Sequence, residues 1–202
     1  MIFNILLIGD SNSGKAQLMN KFIYDKCEGY SSTIGIEFGN KEIKINNQKI
    51  LLHILDTSGQ EKYRSVATNF VRNGDGIIFV FDLANRFTFE SIKEWLIECE
   101  GINEKYEKIL VGNQYNLKNR EVEKEKVKKF SEKLNIKYFE VNSKDGTNVE
   151  LIFKEIAGLI LSHRPIGHSG RLANKLTEYN RINHKEENRK VIFNKLLKYM
   201  NQ

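Results

Sequence analysis

The sequence has little of the chemistry that cross-links a chain or anchors it in a bilayer. Its 202 residues include one proline and two cysteines, Cys27 and Cys99, which do not have the spacing of a metal site. The opening apolar run, residues 2–8, is too short to span a membrane, and no basic leader precedes it. We therefore expect a reduced, cytoplasmic protein with no signal peptide and no transmembrane helix.

Positive charge is concentrated at the end of the sequence. The net charge is +6, and residues 165–202 hold eight Lys or Arg against three Glu, a net +5. The only proline, Pro165, stands at the start of this basic segment. The sequence thus predicts a near-neutral domain over residues 1–164 and a basic C-terminal extension over residues 165–202, with no nucleic-acid partner.

Strand-like and helix-like patterns alternate along residues 1–164, which predicts an α/β fold with a mostly parallel sheet covered by helices. Strands are expected at 2–8, 76–81, 108–112 and 137–141, with a hairpin formed by 38–45 and 49–55. Helices are expected from residue 16 onward and at 87–102, 122–134 and 149–161. His53 and Trp95 fall within these elements, and we interpret both as packing residues.

The most informative motif is a phosphate-binding loop between the first strand and the first helix. In its pattern, G-x-x-x-x-G-K, backbone N–H groups and a helix N-terminus cradle phosphate oxygens while the lysine reaches the outer phosphates. The Ser or Thr that should follow and bind Mg²⁺ is Ala16. The motif therefore predicts nucleotide binding with a damaged metal site. Its residues are Gly9, Asp10, Ser11, Asn12, Ser13, Gly14 and Lys15.

A second motif supplies the acidic residue that such a loop requires. The strand at 49–55 is followed by Asp56, and then by Gly59 and Gln60. A carboxylate at a strand end holds the metal shell, a glycine lets a backbone N–H approach the γ-phosphate, and a glutamine can orient an attacking water. We predict Asp56 as a metal residue and Gln60 as the catalytic residue.

Together with three further motifs, these residues resemble the Rab family of Ras-like small GTPases. The further motifs are STIGIEF at 32–38, GQEKYRSV at 59–66 and FDLAN at 81–85. The resemblance covers residues 1–164. It implies a P-loop NTPase G domain with a six-stranded sheet and helices on both faces, and it implies GTP or GDP with Mg²⁺ as cofactors.

The same resemblance assigns roles in two switch segments. Thr33 would cap the γ-phosphate and bind Mg²⁺, and Tyr30 would close over the phosphates. Gly59 and Gln60 would sense and hydrolyse the γ-phosphate. The implied partners are effector and regulator proteins that bind switch I (Thr33–Phe38) and switch II (Gly59–Val66).

The motifs that read the base depart from the family. In place of the family's Asp carboxylate, which accepts two hydrogen bonds from guanine, the amide of Asn116 offers one acceptor and one donor group. One group is then left unpaired, at a cost of about 1–3 kcal/mol, whereas the same amide suits xanthine. The family's N-K-x-D is here Asn113, Gln114, Tyr115 and Asn116, and its S-A-K is Asn142, Ser143 and Lys144.

Two functions remain open at this level. The first is a Rab-like small GTP-binding protein that acts through its switch segments in membrane traffic, with weakened guanine and Mg²⁺ binding and slow hydrolysis. The alternative is a pseudo-GTPase, a protein-interaction module with little or no nucleotide turnover. The retained switch residues favour the first, and the substitutions at positions 16, 114 and 116 favour the second.

The extension carries its own expectations. No cysteine follows Cys99, so we expect no prenyl anchor. Residues 172–179 and 193–200 have helical apolar spacing, which is typical of a basic amphipathic helix that contacts anionic lipid or a partner groove. A solvated, partly disordered extension fits the same residues equally well. We expect a cytoplasmic protein with peripheral contact to endomembranes at most.

Overall fold

The computed structural model describes residues 1–26, 36–57, 59, 70–102, 106–114 and 119–163. The described part contains a six-stranded sheet and five helices. The strands are β1 (Ile2–Ile8), β2 (Ile36–Ile45), β3 (Gln48–Thr57), β4 (Gly76–Asp82), β5 (Glu107–Asn113) and β6 (Lys137–Val141). The helices are α1 (Lys15–Tyr24), α2 (Arg86–Glu90), α3 (Ile92–Glu100), α4 (Lys124–Lys133) and α5 (Val149–His163).

The strand order is β2-β3-β1-β4-β5-β6, and only the β2–β3 pair is antiparallel. That pair is the predicted hairpin, and its turn residues Asn46 and Asn47 both have positive φ, as two-residue hairpin turns require. The chain leaves β1 toward β3 on one side and returns to β4 on the other. Ligands of open α/β sheets bind where the strand order reverses in this way, so the loop after β1 occupies a favoured binding position.

Helices cover both faces of the sheet. On one face α1 and α5 pack together, and the rings of Phe22 and Phe153 stack with centroids 3.9 Å apart. On the other face α2, α3 and α4 bury Phe89, Trp95 and Val127. Because the central strands are buried on both faces, they are continuous apolar runs in the sequence. The predicted fold class is confirmed.

One predicted element is wrong in detail. The pattern at 87–102 predicted a single helix, but α2 and α3 are separated at Ser91. The Ser91 hydroxyl donates to the carbonyl of Phe87 at 3.0 Å, a back-bond that bends helices. The first of the two helices also starts earlier than predicted, because the side chain of Asn85 accepts a hydrogen bond from Phe87 N and caps it.

Within the described ranges, no helix is long and apolar enough to cross a membrane. The predicted C-terminal extension, residues 165–202, lies outside those ranges. Its proposed contacts therefore stay predictions.

Candidate functional site

The phosphate-binding loop lies between the end of β1 and the start of α1, and its two outer glycines are required by the geometry. Gly9 has φ 151° and Gly14 has φ 87°. A Cβ on Gly9 would lie 2.0 Å from the carbonyl oxygen of Val80, and one on Gly14 would lie 2.0 Å from Nδ2 of Asn113. Any side chain at either position would force the loop away from the sheet.

The loop leads directly into the N-terminus of α1. Gly14 is the N-cap residue, so no side chain occupies the first backbone N–H groups of the helix. Unsatisfied N–H groups and the positive end of the helix dipole favour an anion at this end. The hydroxyl oxygen of Ser13 is also buried, with no hydrogen-bond partner in the described part of the chain. These donors fit a phosphate group, which would satisfy them.

Lys15 is the cation of the loop. Its side chain is buried, and its Nζ donates to the carbonyl oxygens of Gly9 and Asp10, each at 2.8 Å. Burial lowers the pKa of Lys15, while the carboxylates of Asp56 and Asp10 act in the opposite direction. The ammonium group is thus held at the centre of the loop by backbone contacts.

The predicted metal site is described only in part. Asp56 is buried near the end of β3, paired in register with Leu7 of β1. Ala16, in the first turn of α1, has no oxygen to offer a cation. In the described ranges, no group of three or more His, Cys, Asp or Glu residues is arranged to hold a metal. Thr33, the other predicted ligand, lies outside those ranges.

Asn113 connects the phosphate loop to the two segments predicted to read the base. It is fully buried at the end of β5, and its Nδ2 donates to the carbonyl of Ser13 at 3.2 Å. Its Oδ1 accepts from the backbone N–H groups of Gln114 and Ser143, at 2.9 and 3.1 Å. One asparagine therefore sets the relative position of all three segments.

Gln114 stands where the family's motif has a lysine, and its side chain is hydrogen-bonded to Asp82. Its backbone has φ 66°, and its Nε2 donates to Oδ2 of Asp82 at 2.9 Å. The second carboxylate oxygen of Asp82 accepts from Ala84 N at 2.8 Å. Burial raises the pKa of Asp82, and Lys144 partly opposes this effect. The sequence did not predict Asp82 as part of the site, although it ends the strand adjacent to β5.

The loop at 142–144 is ordered mainly by its own hydrogen bonds. Oδ1 of Asn142 accepts from Lys144 N, and its Nδ2 donates to Oδ2 of Asp145, both at 2.9 Å. The hydroxyl of Ser143 donates to Oε1 of Gln17 at 3.3 Å. Gln17 was also not predicted, because nothing in its local spacing indicates that α1 reaches this loop.

Gly59 joins the other side of the phosphate loop. Its carbonyl accepts from Ser11 N at 3.0 Å, and a Cβ on Gly59 would lie 2.2 Å from the backbone of Asp10 and Ser11. The structure thus brings together the phosphate loop, Asp56, Gly59, Asn113, Gln114 and residues 142–144. The remaining predicted site residues lie outside the described ranges; they are Tyr30, Thr33, Gln60 and Asn116.

Comparisons with known proteins agree with this geometry. The family model described as "Ras family" matches residues 4–162. "Ras-related protein RABD2a" of Arabidopsis thaliana is 36% identical over 176 residues, covering 84% of this chain and 87% of that protein. "Ras-related protein Rab-1A" of Dictyostelium discoideum is 39% identical over 163 residues, covering 77% and 79%. "GTP-binding protein ypt1" of Schizosaccharomyces pombe is 38% identical over 159 residues, covering 75% and 76%. This chain belongs to the Ras family, among its Rab-like small GTPases.

Proposed function

We propose that this protein is a Rab-like nucleotide switch that binds guanine nucleotide and Mg²⁺ weakly and hydrolyses GTP slowly. It acts in vesicle and membrane traffic by presenting switch I and switch II to effectors and regulators. The observation that carries this proposal is the built phosphate cradle. Its two glycines stand against Val80 and Asn113, and its buried lysine is held by the loop backbone.

Weak metal binding is inferred from the side chains around the cradle. Asp56 and Thr33 would hold Mg²⁺, and the ion would compensate the negative charge of the phosphates when bound. Mg²⁺ prefers complete octahedral coordination by oxygen ligands. The methyl group of Ala16 supplies no ligand, so the ion loses an inner-sphere contact and the nucleotide loses part of its charge compensation.

Weak guanine binding is inferred from the base side. The side-chain amide of Gln114 is already hydrogen-bonded to Asp82. A glutamine also lacks the charge and the long stem of the family's lysine. Asn116 adds a donor where guanine also presents a donor. Both substitutions affect recognition of the nucleotide base, so we expect reduced discrimination between guanine and xanthine.

The alternative function, a pseudo-GTPase interaction module, is favoured by one combination of observations. Ala16 removes a metal ligand, and Gln114 is paired with Asp82. If nucleotide binding is lost altogether, the same fold would display one fixed switch conformation to its partners. We prefer the weak switch because the cradle, Gly59 and the Asn113 contacts are all in place.

The extension and the location belong to the same proposal. The segment 165–202 carries a net charge of +5, and its basic residues would contact anionic membrane surfaces peripherally. We propose that residues 1–164 form the switch domain and that the extension influences the location at which this domain acts. The near-neutral charge of residues 1–164 gives no reason to propose an RNA or DNA partner.

Mass spectrometry of nucleotide released from freshly purified, undialysed protein tests this function. We expect GDP or GTP at less than one equivalent per chain, and less still after EDTA treatment. A Lys15→Met variant, which removes the cation of the cradle, is the matched control and should carry none. Protein that carries no nucleotide and binds none added with Mg²⁺ would exclude the switch and support the interaction module.

A further inference from the structure

The phosphate loop is fastened to helix α3 by a tryptophan. Trp95 is the only tryptophan of the chain, and it is fully buried. Its indole Nε1 donates to Oδ1 of Asp10 at 2.8 Å, across 85 positions of sequence. A buried indole N–H requires an acceptor, and a bond to a carboxylate is stronger than one to a neutral group. The sequence predicted Trp95 only as a packing residue, but it also forms a hydrogen bond to the phosphate loop.

Asp10 is the residue through which several loop contacts pass. Its carbonyl oxygen accepts from Lys15 Nζ at 2.8 Å and from Ser13 N at 3.3 Å. The next residue, Ser11, donates its N–H to the carbonyl of Gly59 at 3.0 Å. A displacement of Asp10 would consequently move the acceptor of the loop lysine, the turn of the loop and the contact with the segment at Gly59.

The side chain of Asp10 also places a negative charge in a loop that holds phosphates. As long as Trp95 binds it, the carboxylate is directed toward α3. A carboxylate released from this bond would be free to rotate toward the phosphates and would repel them, because like charges at short range oppose each other. The orientation of Asp10 thus affects the affinity of the loop for an anion.

We propose that Trp95 is a positioning residue for nucleotide binding: its indole N–H holds Asp10 so that the loop presents backbone N–H groups, and not a carboxylate, to the phosphates. This inference rests on the proposed function, since it concerns the same loop. It adds a residue from α3, which lies outside the phosphate loop and outside the base-reading segments.

The test compares GDP affinities at constant Mg²⁺ in four proteins: the wild type, Trp95→Phe, Asp10→Ala and the double variant. Phenylalanine keeps an aromatic ring in the core but has no donor. We expect Trp95→Phe to weaken GDP binding about tenfold, the scale of a lost hydrogen bond to a charged group. In the Asp10→Ala background, Trp95→Phe should have no further effect on GDP affinity, because the carboxylate that accepts the indole hydrogen bond is already absent.

Two readouts separate positioning from general destabilisation. Phe89→Leu removes volume from the same apolar cluster at a ring that contacts Phe81 and Phe130, so it should lower stability while leaving GDP affinity unchanged. Trp95 fluorescence should change when GDP is added to the wild type, and Asp10→Ala should lose that change. If Trp95→Phe does not fold, Asp10→Ala and its fluorescence decide the question alone.

The outcomes are distinct. Unchanged GDP affinity in Trp95→Phe, or an unchanged fluorescence response in Asp10→Ala, would overturn the inference and leave the proposed function in place. Equal weakening by Phe89→Leu, or additive losses in the double variant, would also overturn it, because both indicate a purely structural effect. A wild-type protein that binds no GDP would refute the proposed function and this inference together.

Discussion

The two sides of the candidate site differ in what they are made of. The phosphate side is formed mainly by backbone groups, with Gly9 and Gly14 fitted against neighbouring atoms and Lys15 held by carbonyls. The side predicted to bind the base depends on side chains, and there Gln114 donates a hydrogen bond to Asp82. Backbone contacts depend on the fold and a few glycines, so they persist while the surrounding side chains change. A side-chain contact is lost with one substitution.

Asn113 explains why the phosphate side keeps its geometry although the predicted base side departs from the family sequence. Its amide binds the phosphate loop through Ser13 and the 142–144 loop through Ser143. These bonds do not involve the side chain of Gln114. The frame of the site is therefore retained where the sequence departs from the family's base-reading motif, and the following changes test that separation.

The largest effect is expected from Gly14→Ala, which acts where the two sides meet. The new methyl group would lie 2.0 Å from Nδ2 of Asn113, at a residue with φ 87°. Backbone strain and displacement of the asparagine should cost about 3 kcal/mol, or about 100-fold in nucleotide affinity. Gly158→Ala is the control, since no atom of the described residues lies within 4 Å of its Cβ position on α5. Equal GDP affinity in both variants would contradict the account.

A smaller gain is expected from Ala16→Ser, which would restore a metal ligand on the phosphate side. Nucleotide affinity in the presence of Mg²⁺ should rise about tenfold, the value of a contact to a charged group. Release of GDP on adding EDTA should become correspondingly larger. Titrations with Mg²⁺ and EDTA measure both quantities. Tight, Mg²⁺-dependent binding that is the same in both proteins would show that position 16 is not limiting.

Hydrolysis sharpens the same comparison, because turnover needs the phosphate side alone. Without a well-held metal, Gln60 cannot orient water productively, so single-turnover GTP hydrolysis should be clearly slower than the intrinsic rate of an ordinary small GTPase, which is on the order of 10⁻⁴ per second. Ala16→Ser should raise the rate several-fold, and Gln60→Leu should remove that gain. An ordinary rate in the wild type, abolished by Gln60→Leu, would mean that the site tolerates Ala16.

The smallest effect concerns the shared frame. Burial of His53 in β3 lowers its pKa, so the unfolded chain binds a proton more readily than the folded chain. Its contribution to stability is present above about pH 6.5 and is lost as the pH falls below that value. Urea midpoints measured above and below pH 6.5 should show the loss. His53→Gln should reduce this dependence.

The sequence predicted the frame better than the contacts within it. Alternating apolar patterns predicted the strands, and the glycine pattern predicted the loop at the end of β1, because both depend on local spacing. The bonds from Gln114 to Asp82 and from Trp95 to Asp10 join residues 32 and 85 positions apart. Their geometry depends on tertiary packing and rotamers, which local periodicity does not encode. The break at Ser91 was missed because its apolar spacing continues across the bend.

Competition between GDP and XDP at constant Mg²⁺ tests the central claim most directly. The wild type should discriminate weakly, and the double change Gln114→Lys with Asn116→Asp should raise preference for GDP by about 10- to 100-fold, the cost of one unsatisfied buried group. Gln114→Lys alone is the matched control, since it restores the family's lysine without adding the carboxylate at position 116. A wild-type protein that already prefers GDP by several orders of magnitude, with no gain on repair, would contradict the account.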